Sequence, residues 1–266
     1  PFTIQPSEFI KLFMILYLAD YLTRRSIEVK QTFGGFVKPL AVVCLITGLL
    51  LFEPDYGAIV VLFITVFGML FLAGMPLRRF FLWVMLIMLA LVIMMVLAPY
   101  RLERLTAFMN PWADPFDSGF QLTQALIAIG RGELFGVGLG NSVQKLTYLP
   151  EAHTDFLFAI LAEELGLMGV IVVMSLLGFI VMRAFLLGRQ AEQAKLHYAA
   201  FLAYGIGLAI GCQASINLGV NMGLLPTKGL TLPLMSYGGS SLVITCVMLA
   251  LLLRVDSESQ LRNQRD

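Results

Sequence analysis

The chain has 266 residues, 59% hydrophobic and only 13% charged, with a mean hydropathy of +0.86. A soluble domain carries about 25% charged residues, so this composition excludes a water-solvated globule and makes a bilayer the solvent. The net charge is +1 and no basic patch stands out, so there is no footprint for nucleic acid.

The chain enters a helix within a few residues of Pro1, with no initiator Met, signal peptide or polar lead-in, and reads as a piece of a longer membrane protein cut at its N-terminus. A membrane helix needs about 20 mostly apolar residues. Seven stretches qualify or nearly qualify: 6–22, 38–53, 56–75, 79–99, 155–184, 199–221 and 236–254. The second and third are separated by Glu53-Pro54-Asp55-Tyr56-Gly57, whose Pro and Gly support a tight reversal. One long bent helix is the alternative, but about 37 apolar residues exceed a single crossing. The predicted fold is therefore an all-α polytopic membrane protein with about seven transmembrane helices.

Segment 100–154 is the one large non-membrane element. Phe120–Ile129 has the apolar spacing of a short interfacial helix. The run Gly136-Val137-Gly138-Leu139-Gly140 resembles a dinucleotide loop only superficially, because no strand precedes it and no βαβ unit surrounds it. A flexible or close-packed loop is expected there. The three cysteines, Cys44, Cys212 and Cys246, lie scattered in apolar runs and are predicted to be small buried packing residues, not a disulfide or metal set.

Basic residues set the orientation. One side collects Arg24, Arg25, Lys30 and Lys38, then Arg78 and Arg79, then Arg183, Arg189 and Lys195, then Arg254, Arg262 and Arg265. The short connections on the other side hold only Lys228. The C-terminus is thus predicted to be cytoplasmic, and the 100–154 loop to lie on the outer face.

Ionisable groups inside membrane helices are costly and mark candidate sites. Glu8 and Lys11 are three residues apart on one face of the first helix, placed to pair, either as a structural lock or as part of a site. Asp55 is placed to cap the third helix. His153-Thr154-Asp155 opens the fifth helix, where Thr154 or Asp155 could cap it or do chemistry. Pro150-Glu151 just before, and Glu163-Glu164 eight and nine residues on, add polar groups to that end. Lys228, in Pro226-Thr227-Lys228-Gly229-Leu230-Thr231, is followed by Ser236-Tyr237-Gly238-Gly239-Ser240-Ser241. Backbone amides and hydroxyls beside one cation could hold a pyrophosphate, or could form a re-entrant turn whose glycines permit tight packing.

Several stretches together carry a resemblance to a known family. They are Gln5-Pro6-Ser7-Glu8, Glu53-Pro54-Asp55-Tyr56-Gly57, Asn141-Ser142-Val143-Gln144-Lys145, Leu149-Pro150-Glu151-Ala152-His153-Thr154-Asp155-Phe156, Gly223-Leu224-Leu225-Pro226-Thr227-Lys228-Gly229, and Pro233-Leu234-Met235-Ser236-Tyr237-Gly238-Gly239-Ser240-Ser241. They cover the chain nearly end to end, and it resembles the SEDS family (shape, elongation, division and sporulation). The Pro-Thr-Lys-Gly-Leu-Thr form is similar to the division branch more than the elongation branch. Two departures are mild: Glu53 stands where Gln is common, and Leu161-Ala162 precedes Glu163-Glu164 where Ile-Gly is common.

The resemblance implies a single membrane domain over 1–266 that corresponds to the last seven of ten helices. It implies a multi-pass protein of the bacterial cytoplasmic (inner) membrane at the division septum, polymerising lipid II into peptidoglycan glycan strands. Its partners would be lipid II, the growing lipid-linked strand, a class B penicillin-binding protein and other division proteins. By the same resemblance Asp155 is the catalytic acidic residue, and Glu8 with Lys11 forms or orients the substrate cavity. His153, Thr154 and Ser240 are further cavity candidates. Lys228, Arg131 and Lys145 are candidates for holding pyrophosphate. A divalent cation (Mg or Mn) could share that task, although no metal-ligand pattern predicts one. Two other functions remain open, a lipid II flippase or transporter and a non-catalytic division scaffold. Against the transporter stands the lack of a visible inverted repeat.

Overall fold

A computed structural model describes residues 5–32, 34–50, 55–96, 108–115, 119–149, 151–226 and 229–263. Among these, the principal elements are all helices: α1 (Pro6–Arg24), α2 (Ser26–Gln31), α3 (Gly34–Leu50), α4 (Tyr56–Leu72), α5 (Leu77–Val96), α6 (Phe120–Gly132), α7 (Leu157–Gln193), α8 (His197–Asn221) and α9 (Gly239–Asn263). Leu157–Gln193, His197–Asn221 and Gly239–Arg262 are long and apolar enough to cross a membrane, and Val37–Leu50 and Gly57–Leu72 are shorter apolar helices. Each predicted stretch overlaps a helix, but 73–75, 155–156 and 236–238 are not helical, and 51–54 and 97–99 fall outside the described residues.

The chain divides into two compact units. The first comprises Pro1–Phe80, Leu177–Cys212 and Gly238–Asp266. In it α1 packs against α4 and α9, burying Ile15, Leu18, Ala19 and Leu22 with Val61, Leu62, Val66, Met69 and Leu70. Gly205 lets α8 come close to α1 and α4, since a Cβ there would run into Ile15 and the Met69 sulfur. Asp55 caps α4 as expected, its Oδ1 accepting the Ala58 N–H at 3.0 Å.

The second unit comprises Phe81–Leu176 and Gln213–Tyr237. Here α6 forms as predicted and runs on to Gly132. Its small residues Ala125 and Ala128 pack into a core with Leu149, Ala152, Phe156, Ala159, Ile160 and Val220. That core seats the loop carrying Asp155 against the start of α7.

The sequence predicts one unbroken helix over 155–184, and the structure corrects this. Gly166 (φ 65°, ψ −167°) interrupts α7 in a backbone region open essentially to glycine alone. A continuous helix would pair the Leu167 and Met168 N–H groups with the Glu163 and Glu164 carbonyls. Instead the segment 133–138 inserts. Leu167 and Met168 donate to Glu133 and Leu134 C=O at 2.9 and 3.2 Å, while Val137 and Gly138 donate to Glu163 and Glu164 C=O, both at 3.0 Å. These two N–H and two C=O groups at the break are thus satisfied. The glycine-rich run is thus a close-packed loop: a Cβ at Gly132 or Gly136 would overlap the Ala162 or Glu164 carbonyl. Burial also changes at the break. Phe158 to Glu163 are buried, whereas Leu167, Met168, Ile171 and Val172 are exposed. Leu167–Gln193 alone extends roughly 40 Å, enough to cross a bilayer.

The cysteines need a second correction. All three are free, but Cys44 and Cys246 lie exposed on their helices rather than packed inside. In a membrane helix an apolar run need not be covered by protein, so apolar context does not imply burial.

Gly166→Ala is expected to cost at least about 1–3 kcal/mol from the φ/ψ penalty, before the collision of its Cβ with Gly136 N and the Leu134 carbonyl. Thermal unfolding in detergent should show a lowered midpoint. An unchanged midpoint would mean that the break is not a fixed feature of the fold.

Candidate active site

In the second unit, loop 151–156 is held by three successive backbone carbonyls. His153 C=O accepts the Tyr237 N–H at 2.8 Å. Thr154 C=O accepts the Ser236 hydroxyl, whose oxygen in turn accepts the Leu232 N–H at 2.8 Å. Asp155 C=O accepts from Asn217 Nδ2 and Asn221 Nδ2, both at 2.9 Å. Fixing the loop through its main chain leaves its polar side chains to be placed independently. His153 is exposed, Asp155 and Thr154 are half-buried, and Thr154 Oγ1 donates to Glu151 Oε2 at 2.6 Å. Two residues of these loops, Glu151 (φ 58°) and Leu234 (φ 66°), hold left-handed backbone conformations that cost non-glycine residues energy.

The cap at the start of α7 comes from elsewhere than Thr154 or Asp155. Leu157 is the first helical residue, so Asp155 lies one position before the cap. The third helical N–H, on Ala159, is accepted by Asn221 Oδ1 at 3.2 Å, the bond a capping side chain ordinarily makes. Asp155 Oδ2 comes so close to the Gly229 backbone that a Cβ there would stand 2.9 Å from it.

Arg131 and Lys145 lie in the same unit, each with a carboxylate. Glu163 is fully buried and receives Arg131 Nη1 at 3.3 Å, the Val143 N–H at 3.3 Å and the Ser142 hydroxyl. Glu164 receives Lys145 Nζ at 2.6 Å and the Ser142 N–H at 3.4 Å. The carboxylates at this end of α7, expensive if unpaired, are therefore neutralised by two of the cations read from sequence as anion holders. Among the described residues no group of three or more His, Cys, Asp and Glu could hold a metal ion.

The first unit holds the other predicted residues. Lys11 Nζ donates to Glu8 Oε1 at 2.8 Å, and both side chains are almost fully buried. Nearby in chain and space, the Gln5 N–H donates to Ser240 Oγ at 3.0 Å and Gln5 Nε2 to Asp55 Oδ2 at 3.4 Å. Thus Ser240 meets the start of α1, and Asp55 both caps α4 and receives Gln5. Lys228 and Thr227 lie outside the described residues.

Sequence reasoning missed Gln213, Asn217 and Asn221, all buried. They recur every four residues along α8, on one face of an otherwise apolar helix. That spacing was a usable signal, because buried amides in a membrane helix must find partners.

The family model described as "Cell cycle protein" (FtsW, RodA and SpoVE) matches residues 1–261. The chain belongs to this family. Similar relatives carry the name "Probable peptidoglycan glycosyltransferase FtsW". One from Nitrosococcus halophilus (strain Nc4) is 60% identical over 98% of this chain and 67% of its own length. One from Halomonas elongata is 56% identical over 100% of this chain and 67% of its own. The chain spans about two thirds of the length of the curated relatives it matches. Among solved structures, a chain described under "Structural coordination of polymerization and crosslinking by a peptidoglycan synthase complex" matches with a TM-score of 0.77. It is 34% identical, over 97% of this chain and 71% of that one. Thermus thermophilus rod shape determining protein RodA matches at 0.65 and 31%, over 96% and 66%. This kinship agrees with the family resemblance read from the motifs.

Removing one partner of the buried Glu8–Lys11 pair is expected to cost about 3–5 kcal/mol, because the other charge is left uncompensated. Glu8→Gln and Lys11→Met should each lower the unfolding midpoint, and the double variant should recover much of the loss. Additive losses in that cycle would show that the pair is not energetically coupled.

Proposed function

We propose that the protein is a peptidoglycan glycosyltransferase that polymerises lipid II into β-1,4 glycan strands for septal wall synthesis, with Asp155 as its general base. The observation that carries this is the placing of Asp155. Its main chain is fixed by two buried asparagines, its carboxylate faces the Gly229 backbone, and the cap of α7 is supplied by Asn221. Relatives named as peptidoglycan glycosyltransferases at 55–60% identity support the reaction class.

The growing strand is the donor, its reducing-end sugar held on undecaprenyl pyrophosphate. An incoming lipid II offers the 4-hydroxyl of its N-acetylglucosamine. Asp155 takes the hydroxyl proton as the oxygen attacks the anomeric carbon. The bond from that carbon to pyrophosphate breaks, and lipid pyrophosphate leaves with the electron pair. The α-linked donor becomes a β-1,4 link, an inverting displacement for which one carboxylate suffices. Pyrophosphate is a good leaving group, so no general acid is required.

In this reading the seven long helices are all membrane spans, with a cytoplasmic C-terminus and the Asp155 loop on the outer face of the inner membrane. Lipid tails enter between helices, and two-dimensional tethering favours encounter and orientation. Glu8, Lys11 and Ser240 in the first unit, and His153 and Thr154 in the second, are the proposed substrate-contacting residues, and Lys228 is the proposed holder of pyrophosphate. Arg131 and Lys145 already have carboxylate partners, and the reading does not rest on them. A class B penicillin-binding protein crosslinks the strands. Its pairing with this protein is supported by the similar chain from a peptidoglycan synthase complex.

The test uses the full-length protein with its transpeptidase partner, crosslinking blocked, and follows polymer made from lipid II. Asp155→Ala should still bind the partner yet lose roughly 10²–10⁴-fold in rate, the worth of a general base. Normal polymerisation by that variant would contradict the assignment and leave a scaffold or transporter.

A further inference from the structure

We infer that Asn217 and Asn221 are positioning residues for Asp155, and that with Gln213 they form an amide frame setting its carboxylate against the segment Gly229-Leu230-Thr231. The inference rests on the glycosyltransferase reading and adds residues to its site.

The three amides recur every four residues on one face of α8 and are 6%, 1% and 0% exposed. Each joins two things. Gln213 Nε2 donates to Thr231 C=O at 3.0 Å and to Thr231 Oγ1 at 3.2 Å. Asn217 Nδ2 donates to Asp155 C=O at 2.9 Å and to Leu230 C=O. Asn221 Nδ2 donates to Asp155 C=O at 2.9 Å while its Oδ1 accepts the Ala159 N–H at 3.2 Å. A rigid helix therefore holds the Asp155 peptide and the Leu230-Thr231 backbone at a fixed separation.

A carbonyl oxygen has two acceptor sites, and both on Asp155 are engaged by amides from one helix. The Asp155 peptide plane cannot turn without breaking a buried bond, so the direction of its Cα–Cβ bond is set as well. Asn221 also takes over the cap of α7, which relieves Thr154 and Asp155 of that work. The outcome is local: Asp155 Oδ2 stands against Gly229, where a Cβ would come within 2.9 Å. Leucine would suit these positions of a membrane helix as packing, but it would take away the amide donors to the Asp155 and Leu230 carbonyls.

A frame that only held the fold would affect stability without selecting the chemical step. A frame that aims the base affects kcat, since a displacement of about 1 Å at a reacting group can cost on the order of 10²-fold. The experiment measures lipid II polymerisation by the full-length protein with its blocked transpeptidase partner. It compares wild type, Asp155→Ala, Asn217→Leu, Asn221→Asp and Gln213→Leu, with unfolding midpoints taken alongside. Asn221→Asp keeps its size and the acceptor for Ala159 N–H but loses the donor to Asp155, so it reports even if Asn217→Leu is not recovered folded. The expected result is a kcat loss of roughly 10- to 100-fold in both asparagine variants with KM within about twofold, and a smaller loss in Gln213→Leu, whose bonds go to Thr231. Asparagine variants that turn over normally while Asp155→Ala is dead would overturn the inference alone, as would losses confined to KM or to the unfolding midpoint. An active Asp155→Ala would overturn the glycosyltransferase assignment of Asp155, and the frame with it.

Discussion

Backbone amides and carbonyls that leave a helix inside a membrane protein must be satisfied by the protein itself, because lipid offers no hydrogen bonds. The organisation of the second unit follows from this constraint. At the break at Gly166, the segment 133–138 bonds the Leu167 and Met168 N–H groups and the Glu163 and Glu164 carbonyls of α7. The loop before α7 leaves the carbonyls of His153, Thr154 and Asp155 outside any helix, and Tyr237, Ser236, Asn217 and Asn221 supply the donors. Irregular backbone is thereby tolerated where a site needs it, and it is held as firmly as a helix would be.

Charge is handled in the same way. Glu163 is fully buried and Glu164 half-buried, and each has a cation and backbone or hydroxyl donors. Ser142 serves both, through its hydroxyl and its N–H, so the segment after the glycine-rich run is pinned to α7. In the first unit Glu8 and Lys11 neutralise each other within one helix. Buried pairs of this sort seldom add net stability over apolar packing, but losing one member is costly. That makes them strict about geometry.

The helices were legible in the sequence because about 20 apolar residues mark a membrane helix whatever its neighbours do. The Asp55 cap was legible because a cap is local. The break at Gly166 was not: Leu165-Gly166-Leu167 in a long apolar run reads as helix, and the segment that repairs it lies far back in the chain. For the same reason Arg131 and Lys145 looked like anion-binding cations, since their partners Glu163 and Glu164 come from another helix. The amides Gln213, Asn217 and Asn221 were visible as a polar stripe on an apolar helix. What they hold, the Asp155 carbonyl and the Leu230-Thr231 backbone, is a tertiary fact that spacing does not contain. Asp155 itself stood out through its motif, whereas its separation from the capping role of Asn221 needed coordinates.

The chemistry asks little of the protein beyond one base in the right place, a held pyrophosphate and two oriented lipid-linked sugars. Under the proposed assignment Asp155 answers the first demand: its main chain is fixed by Asn217 and Asn221, and its carboxylate stands against Gly229. The most direct measurement is a structure of the full-length protein with a non-hydrolysable lipid II analogue in the acceptor position. The 4-hydroxyl of the acceptor N-acetylglucosamine is expected about 2.6–3.2 Å from an Asp155 carboxylate oxygen, or joined to it through one water. An acceptor hydroxyl placed against a different carboxylate, with Asp155 turned away, would contradict it.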